Sequence, residues 1–294
     1  MTSAGLYVPI ITPFTDNDEL DCDALESLAH DMFDDGATGI VALGTTGEPA
    51  TLTTAERAKV VEICAAACAH RGTQLIVGVG SNSTAESVNR LCRIDEHAMA
   101  ALTVTPYYTR PAEDGVLEHF RRLAAASPVP IIVYNVPYRT GRPLSADTLR
   151  RIAALPNVAG FKHSVGGIDD TTIDFMATLP AHTRVFAGDD LFAGPLIALG
   201  AAGAIMASAN VATRAYADLI TAWREGHNER ARELHNRLAP LSAALFTEPN
   251  PVVIKAVLAE QGWIASPHVR LPLLPASDGA TAAALRVVPL LPIH

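Results

Sequence analysis

Short apolar runs recur along the chain, separated by longer segments in which apolar and polar residues alternate with helical spacing. The runs are Leu6–Ile11, Gly39–Leu43, Gln74–Val79, Ala101–Thr105, Pro130–Tyr134, Val158–Lys162, Arg184–Gly188 and Gly203–Ala207. Runs of this length, closed by Gly, Pro or Asn, are expected to be buried strands. Between them, helices are expected over Asp23–Asp35, Thr54–His70, Ala85–His97, Asp114–Ala126, Ser145–Ala154, Ile168–Leu179, Leu191–Leu199 and Ala212–Glu225. Several open with cap chemistry: Thr53 or Thr54 ahead of Glu56, Ser83 or Thr84 ahead of Glu86, and Ser145 ahead of Asp147. A hydroxyl there can accept from an otherwise unpaired backbone N–H of the first turn. Alternating strands and helices joined by short loops indicate parallel βαβ units. Eight such units in roughly 225 residues fit a closed (β/α)8 TIM barrel better than an open sheet.

The strand signal ends near His227. Helices are expected over Asn228–Leu245 and Pro251–Glu260, with a further short one within Ala282–Pro292. The chain therefore divides into a barrel over residues 1–225 and a C-terminal helical region over 226–294, suited to covering the barrel or to subunit contacts.

Composition adds limits. The hydrophobic fraction of 49% and charged fraction of 18% suit a globular protein. The formal charge of −9, with no basic run, argues against nucleic acid or an anionic membrane surface as partner. The start of the chain shows no positive stretch ahead of an apolar core, so a cytoplasmic protein is expected. Leu191–Ala209 carries no lysine or arginine and only two of its neighbours, Asp189 and Asp190, are acidic, but Gly194, Pro195, Gly200 and Gly203 interrupt it, so no membrane span is expected. The four cysteines lack zinc-ligand spacing and the histidines form no HxH or HExxH, so reduced thiols and no metal are expected.

The chemistry collects at the ends of the expected strands, where barrel enzymes hold their sites. The sixth strand, Val158-Ala-Gly-Phe-Lys162, ends on one of only three lysines in the chain. Burial disfavours an ammonium, lowers its pKa and creates an amine nucleophile able to form a Schiff base with a ketone. The alternative is a lysine whose head snorkels to water. After the second strand comes Gly44-Thr-Thr-Gly-Glu48, a glycine-flanked turn suited to a carboxylate. The fourth strand leads into Thr105-Pro-Tyr107-Tyr108 and the fifth into Tyr134-Asn-Val-Pro-Tyr138-Arg139-Thr-Gly141. These loops hold four of the six tyrosines, and Arg139 adds a fixed cation. Gly188-Asp189-Asp190 closes the seventh strand.

Taken in order, GTTGE, TPYY, YNVPxRTG, the GxK strand end, GDD and EPNP at 248–251 resemble the dihydrodipicolinate synthase and N-acetylneuraminate lyase family over nearly the whole chain. The resemblance implies a class I lyase with no cofactor beyond a covalent pyruvate Schiff base on Lys162. Tyr134 would be the general acid and base, and Thr45 would relay protons to Tyr108, which would enter a neighbouring subunit's site. Thr46 would hold the pyruvate carboxylate and Arg139 that of aspartate semialdehyde, while the carbonyls of Gly188 and Ile205 would line the pocket. A homotetramer acting on pyruvate and an aldehyde is implied. Two other readings stand beside it: a related aldolase or dehydratase acting on a sugar-derived 2-oxo acid, and a non-catalytic paralogue that binds a 2-oxo acid.

Three departures from the family pattern stand out, one of them the Ser164-Val165-Gly166-Gly167 loop behind the lysine, which bears on substrate preference. His163 follows the lysine where an acidic residue is usual, and strand alternation is expected to turn it away from Lys162. At the positions matching the lysine site of inhibited members, Asn82, Glu86 and Tyr107 retain the pattern while Pro49, Thr54 and Arg57 depart from the serine and histidines, so weak or absent lysine feedback is expected.

Overall fold

The computed structural model describes residues 3–94 and 97–288. Eight strands follow one another around a closed parallel barrel in chain order. They are β1 (Gly5–Pro9), β2 (Gly39–Ala42), β3 (Gln74–Gly78), β4 (Ala100–Val104), β5 (Ile131–Asn135), β6 (Val158–His163), β7 (Arg184–Ala187) and β8 (Gly203–Ile205). Every expected strand is present, displaced by one or two residues at its ends. Long apolar runs survive in sequence because strands of a parallel barrel are covered on both faces.

The helices are α1 (Cys22–Asp34), α2 (Thr54–Arg71), α3 (Thr84–Leu91), α4 (Glu113–Ala126), α5 (Pro137–Thr140), α6 (Ala146–Ala153), α7 (Asp170–Ala177), α8 (Ala193–Ala198), α9 (Thr213–Arg224), α10 (Asn228–Leu245), α11 (Val252–Glu260) and α12 (Asp278–Val287). Cap chemistry sets several starts. Thr53 accepts from the Glu56 N–H at 3.2 Å while the Glu56 carboxylate accepts from the Thr53 N–H at 2.7 Å, so Thr53 and not Thr54 closes the first turn of α2. Gly72, in the left-handed region at φ 63°, ends that helix.

α5 has no counterpart among the expected helices, and three others differ from expectation. α3 stops at Leu91, six residues short, because the apolar spacing lapses into Arg93, Asp95, Glu96 and His97. The expected helix from Leu191 is instead a 3₁₀ turn, Asp190–Phe192, leading into α8. α12 begins four residues early at its cap Ser277, whose hydroxyl accepts from the Ala280 N–H, and residues 289–292 of that expectation lie outside the described residues. No helix among the described residues is long and apolar enough to cross a membrane.

The chain divides into two compact units, one comprising Ile76–Ala204 with the first few residues, the other Gly5–Leu75 with Ile205 onward. Within the first, Tyr134 pairs in register with Lys162 and Asn135 with His163. Phe161 and His163 point to the helical side of the sheet, where both rings meet Phe175 of α7, at 5.1 and 5.8 Å between centroids. Lys162, between them, therefore faces the other way. Within the second unit, β1 pairs with β2, and α9 packs on α10.

Candidate active site

Lys162 is 6% exposed at the end of β6. Its Nζ lies 4.4 Å from the centre of the Tyr134 ring, the residue beside it on β5. Burial lowers the amine pKa to about 8; Arg139 pushes it further down, while Asp190 and Asp189 pull it back. An amine in that range is a usable nucleophile near neutrality.

Glycine at 188 makes room for this side chain. A Cβ there would sit 2.8 Å from Lys162 Cγ, 3.0 Å from its Cε and 2.8 Å from Ser164 Oγ. The next residue organises the loop behind the lysine. Asp189 Oδ1 accepts from the Ser164 hydroxyl at 2.8 Å and from the Tyr138 phenol at 3.2 Å, and its Oδ2 accepts from the Gly166 N–H at 2.6 Å. One carboxylate thus joins the loops following β5, β6 and β7.

Arg139 lies on α5, a single turn that opens on Pro137, as helix starts tolerate. It lines an open cavity of about 450 Å³ together with Tyr107, Tyr108, Arg110, Tyr138, Thr140 and Gly141. Two guanidiniums on one cavity suit an anionic ligand. Tyr108 is 87% exposed and held at φ 70°, an uncommon conformation for an aromatic residue. Gly141, at φ 68°, is backed by the Arg110 side chain, whose Nε would be 2.6 Å from an added Cβ.

His163 turns away from Lys162, as strand alternation predicts. Its Nε2 is 3.0 Å from Thr172 Oγ1 and its Nδ1 3.4 Å from Asn135 Nδ2. It fills a polar place between β6 and α7.

In the other unit, Thr45 and Thr46 form a 3₁₀ turn, Thr45–Gly47, directly after β2. Thr46 is buried, and its hydroxyl accepts from Asn250 Nδ2 at 3.0 Å. Ile205 is fully buried at the end of β8. Tyr134, Arg139, Lys162 and Gly188 thus gather in the first unit, whereas Thr45, Thr46 and Ile205 belong to the second. Sequence reasoning gave no role to Asp189, Glu48 or Asn250, although each lies inside a motif it had singled out.

A parallel (β/α)8 barrel with chemistry-bearing residues at its strand ends is the architecture of a barrel lyase. The chain belongs to the dihydrodipicolinate synthetase family, whose model matches residues 2–288. The 4-hydroxy-tetrahydrodipicolinate synthase of Methanothrix thermoacetophila is 42% identical over 276 residues, 93% of this chain and 92% of that protein. Among solved structures, the dihydrodipicolinate synthase of Thermotoga maritima superposes with a TM-score of 0.95 at 33% identity, covering 99% of this chain and 100% of the other. The chloride-inhibited enzyme of Acinetobacter baumannii, solved with pyruvate, superposes at 0.94 with 35% identity, covering 98% of this chain and 100% of that one.

Proposed function

We propose that this protein condenses pyruvate with L-aspartate 4-semialdehyde to give 4-hydroxy-tetrahydrodipicolinate, in lysine and diaminopimelate biosynthesis. The observation that carries the reading is Lys162, a buried amine with its pKa lowered to about 8 at a barrel-strand end.

The neutral amine adds to the ketone carbon of pyruvate, and the carbonyl oxygen leaves as water to give a protonated imine. That imine is an electron sink, so the adjacent methyl loses a proton to a base and becomes an enamine carbon. The enamine attacks the aldehyde, whose oxygen takes up a proton and remains as the 4-hydroxyl. The amino group of the second substrate then displaces Lys162 from the imine carbon, closing the ring and freeing the lysine. The protonated imine does the work of an electron sink, so these steps call for neither metal nor organic cofactor.

Each step needs protons moved at fixed positions, which a tuned phenol performs with a gain of roughly 10² to 10⁴. Tyr134, paired in register with Lys162, is the proposed acid and base. Thr45 and Tyr108 are proposed to extend the proton relay, Tyr108 from a neighbouring subunit. Thr46 is the proposed holder of the pyruvate carboxylate, Arg139 that of the second substrate, with the carbonyls of Gly188 and Ile205 lining the pocket. The same reading makes the enzyme a cytoplasmic homotetramer, which light scattering of the purified protein tests.

Incubation with pyruvate and borohydride, followed by intact mass, is the decisive experiment. A reduced pyruvyl adduct is expected on wild type and none on Lys162→Ala; an adduct that survives the substitution overturns the reading. A panel of aldehydes then separates aspartate semialdehyde from sugar-derived acceptors.

A further inference from the structure

The chain buries a second lysine. Lys255, on α11, is 0% exposed, and burial lowers its pKa to about 8 against the pull of Glu48, yet its amine is engaged. It donates to Glu48 Oε1 at 2.5 Å and to the His268 carbonyl at 2.8 Å, and it faces the Phe14 ring at 4.1 Å. Of the three protons of an ammonium, two are given to oxygen acceptors here, and the amine also lies over an aromatic face. Lys255 is therefore no spare nucleophile.

Its partner Glu48 closes the Thr45–Gly47 turn. Glu48 lies in the left-handed region at φ 50°, its N–H bonding the Thr45 carbonyl at 3.2 Å. The other carboxylate oxygen accepts from the Arg270 backbone N–H at 3.1 Å. Asn250, just before α11, reaches the same turn and donates to the Thr46 hydroxyl at 3.0 Å. Residues 250–255 thus hold the turn at two points, one on its hydroxyl and one on its terminal carboxylate.

A buried ion pair is weak evidence for stability, since removing two charges from water costs about as much as their attraction returns. What such a pair supplies is direction. A side-chain donor on Thr46 Oγ1 also fills one of its acceptor sites, so the hydroxyl's own proton is turned elsewhere and strengthened as a donor.

We propose that Lys255 and Asn250 are positioning residues for pyruvate: acting through Glu48 and Thr46, they fix the Thr45–Glu48 turn in the shape that grips the substrate carboxylate. The proposal deepens the reading above and rests on it. It makes the C-terminal helical region part of the substrate-binding apparatus.

The test is pyruvate-dependent borohydride trapping over a range of pyruvate concentrations, with steady-state KM for each substrate and thermal unfolding alongside. Asn250→Ala is expected to fold normally, to raise the half-saturating pyruvate concentration about tenfold, the loss of one good hydrogen bond, and to leave the KM for the aldehyde unchanged. Lys255→Met leaves a buried carboxylate unpaired, so it is expected to lower the melting temperature as well. The double variant Glu48→Gln/Lys255→Met removes both charges; it is expected to recover the melting temperature while pyruvate half-saturation stays raised. Recovery of pyruvate affinity in the double variant would show a merely structural pair and overturn the proposal. So would unchanged half-saturation in Asn250→Ala. If wild type traps no pyruvate at all, the Schiff-base reading falls first and takes this inference with it.

Discussion

The position a Cβ of residue 188 would occupy lies 2.8 Å from Cγ of Lys162, closer than side-chain carbons approach one another. Glycine at the end of β7 is thus the space through which the lysine stem passes. Gly188→Ala is expected to displace that stem at a cost of roughly 1–3 kcal/mol in overpacking. The rate of pyruvate trapping should fall at least tenfold, more steeply than the melting temperature shifts. Trapping at the wild-type rate would show that the lysine reaches its position without this gap.

Reactivity should follow the charge state of Lys162. With a pKa of about 8, roughly one-tenth of the amine is neutral at pH 7, against roughly four parts in 10⁴ for an ordinary lysine. Pyruvate trapping should therefore climb with pH and level off above about 8. Arg139 depresses the pKa and Asp189 and Asp190 raise it. Arg139→Ala should move the midpoint upward, and Asp190→Asn should move it downward. A profile unmoved by both substitutions would show that burial alone sets the amine.

Two buried histidines bear on stability in acid. Desolvation lowers His163 and His119 to about 4, opposed at His163 by Asp169 and Asp189. Below pH 6.5 the unfolded chain takes up protons that these folded sites refuse, so stability falls as pH drops from 6.5 toward 4. Each contributes at most about 3 kcal/mol to that fall. Replacing both with Gln should flatten the melting temperature between pH 6.5 and 5, where most carboxylates are still ionised. An unchanged slope there would assign the acid sensitivity to other groups.

Inhibition by lysine is expected to be weak or absent. Arg57 donates to the Pro49 carbonyl at 2.6 Å, which holds a fixed cation there that would repel a lysine ligand. Glu86, an acidic residue that could attract a lysine, is paired to Arg90 at 2.7 Å. Sub-millimolar lysine inhibition in a steady-state assay would contradict both points.

The strands were legible because a covered barrel strand has little choice but to be apolar, and Lys162 stood out against that background. The direction of His163 followed from the two-residue period of a strand. Contacts between distant residues were not legible: Glu48 and Lys255 lie 207 positions apart, and no local pattern couples them. Gly188 was noticed as part of a motif, but its reason is steric and needs the neighbouring strand. The early stop of α3 and the early start of α12 turned on caps and polar spacing, which blur element ends.

The three lysines differ in what holds their amines. Lys59 is a surface amine whose pKa the Glu62 carboxylate raises, and Lys255 is enclosed by its acceptors. Burial lowers both buried amines to about 8, but Lys255 is held by the Glu48 carboxylate whereas Lys162 faces the Tyr134 ring at a strand end. A carbonyl electrophile added near neutral pH should therefore mark Lys162 ahead of Lys59 and Lys255. Among the lysines, that preference makes Lys162 the natural anchor for a carbonyl-directed covalent inhibitor.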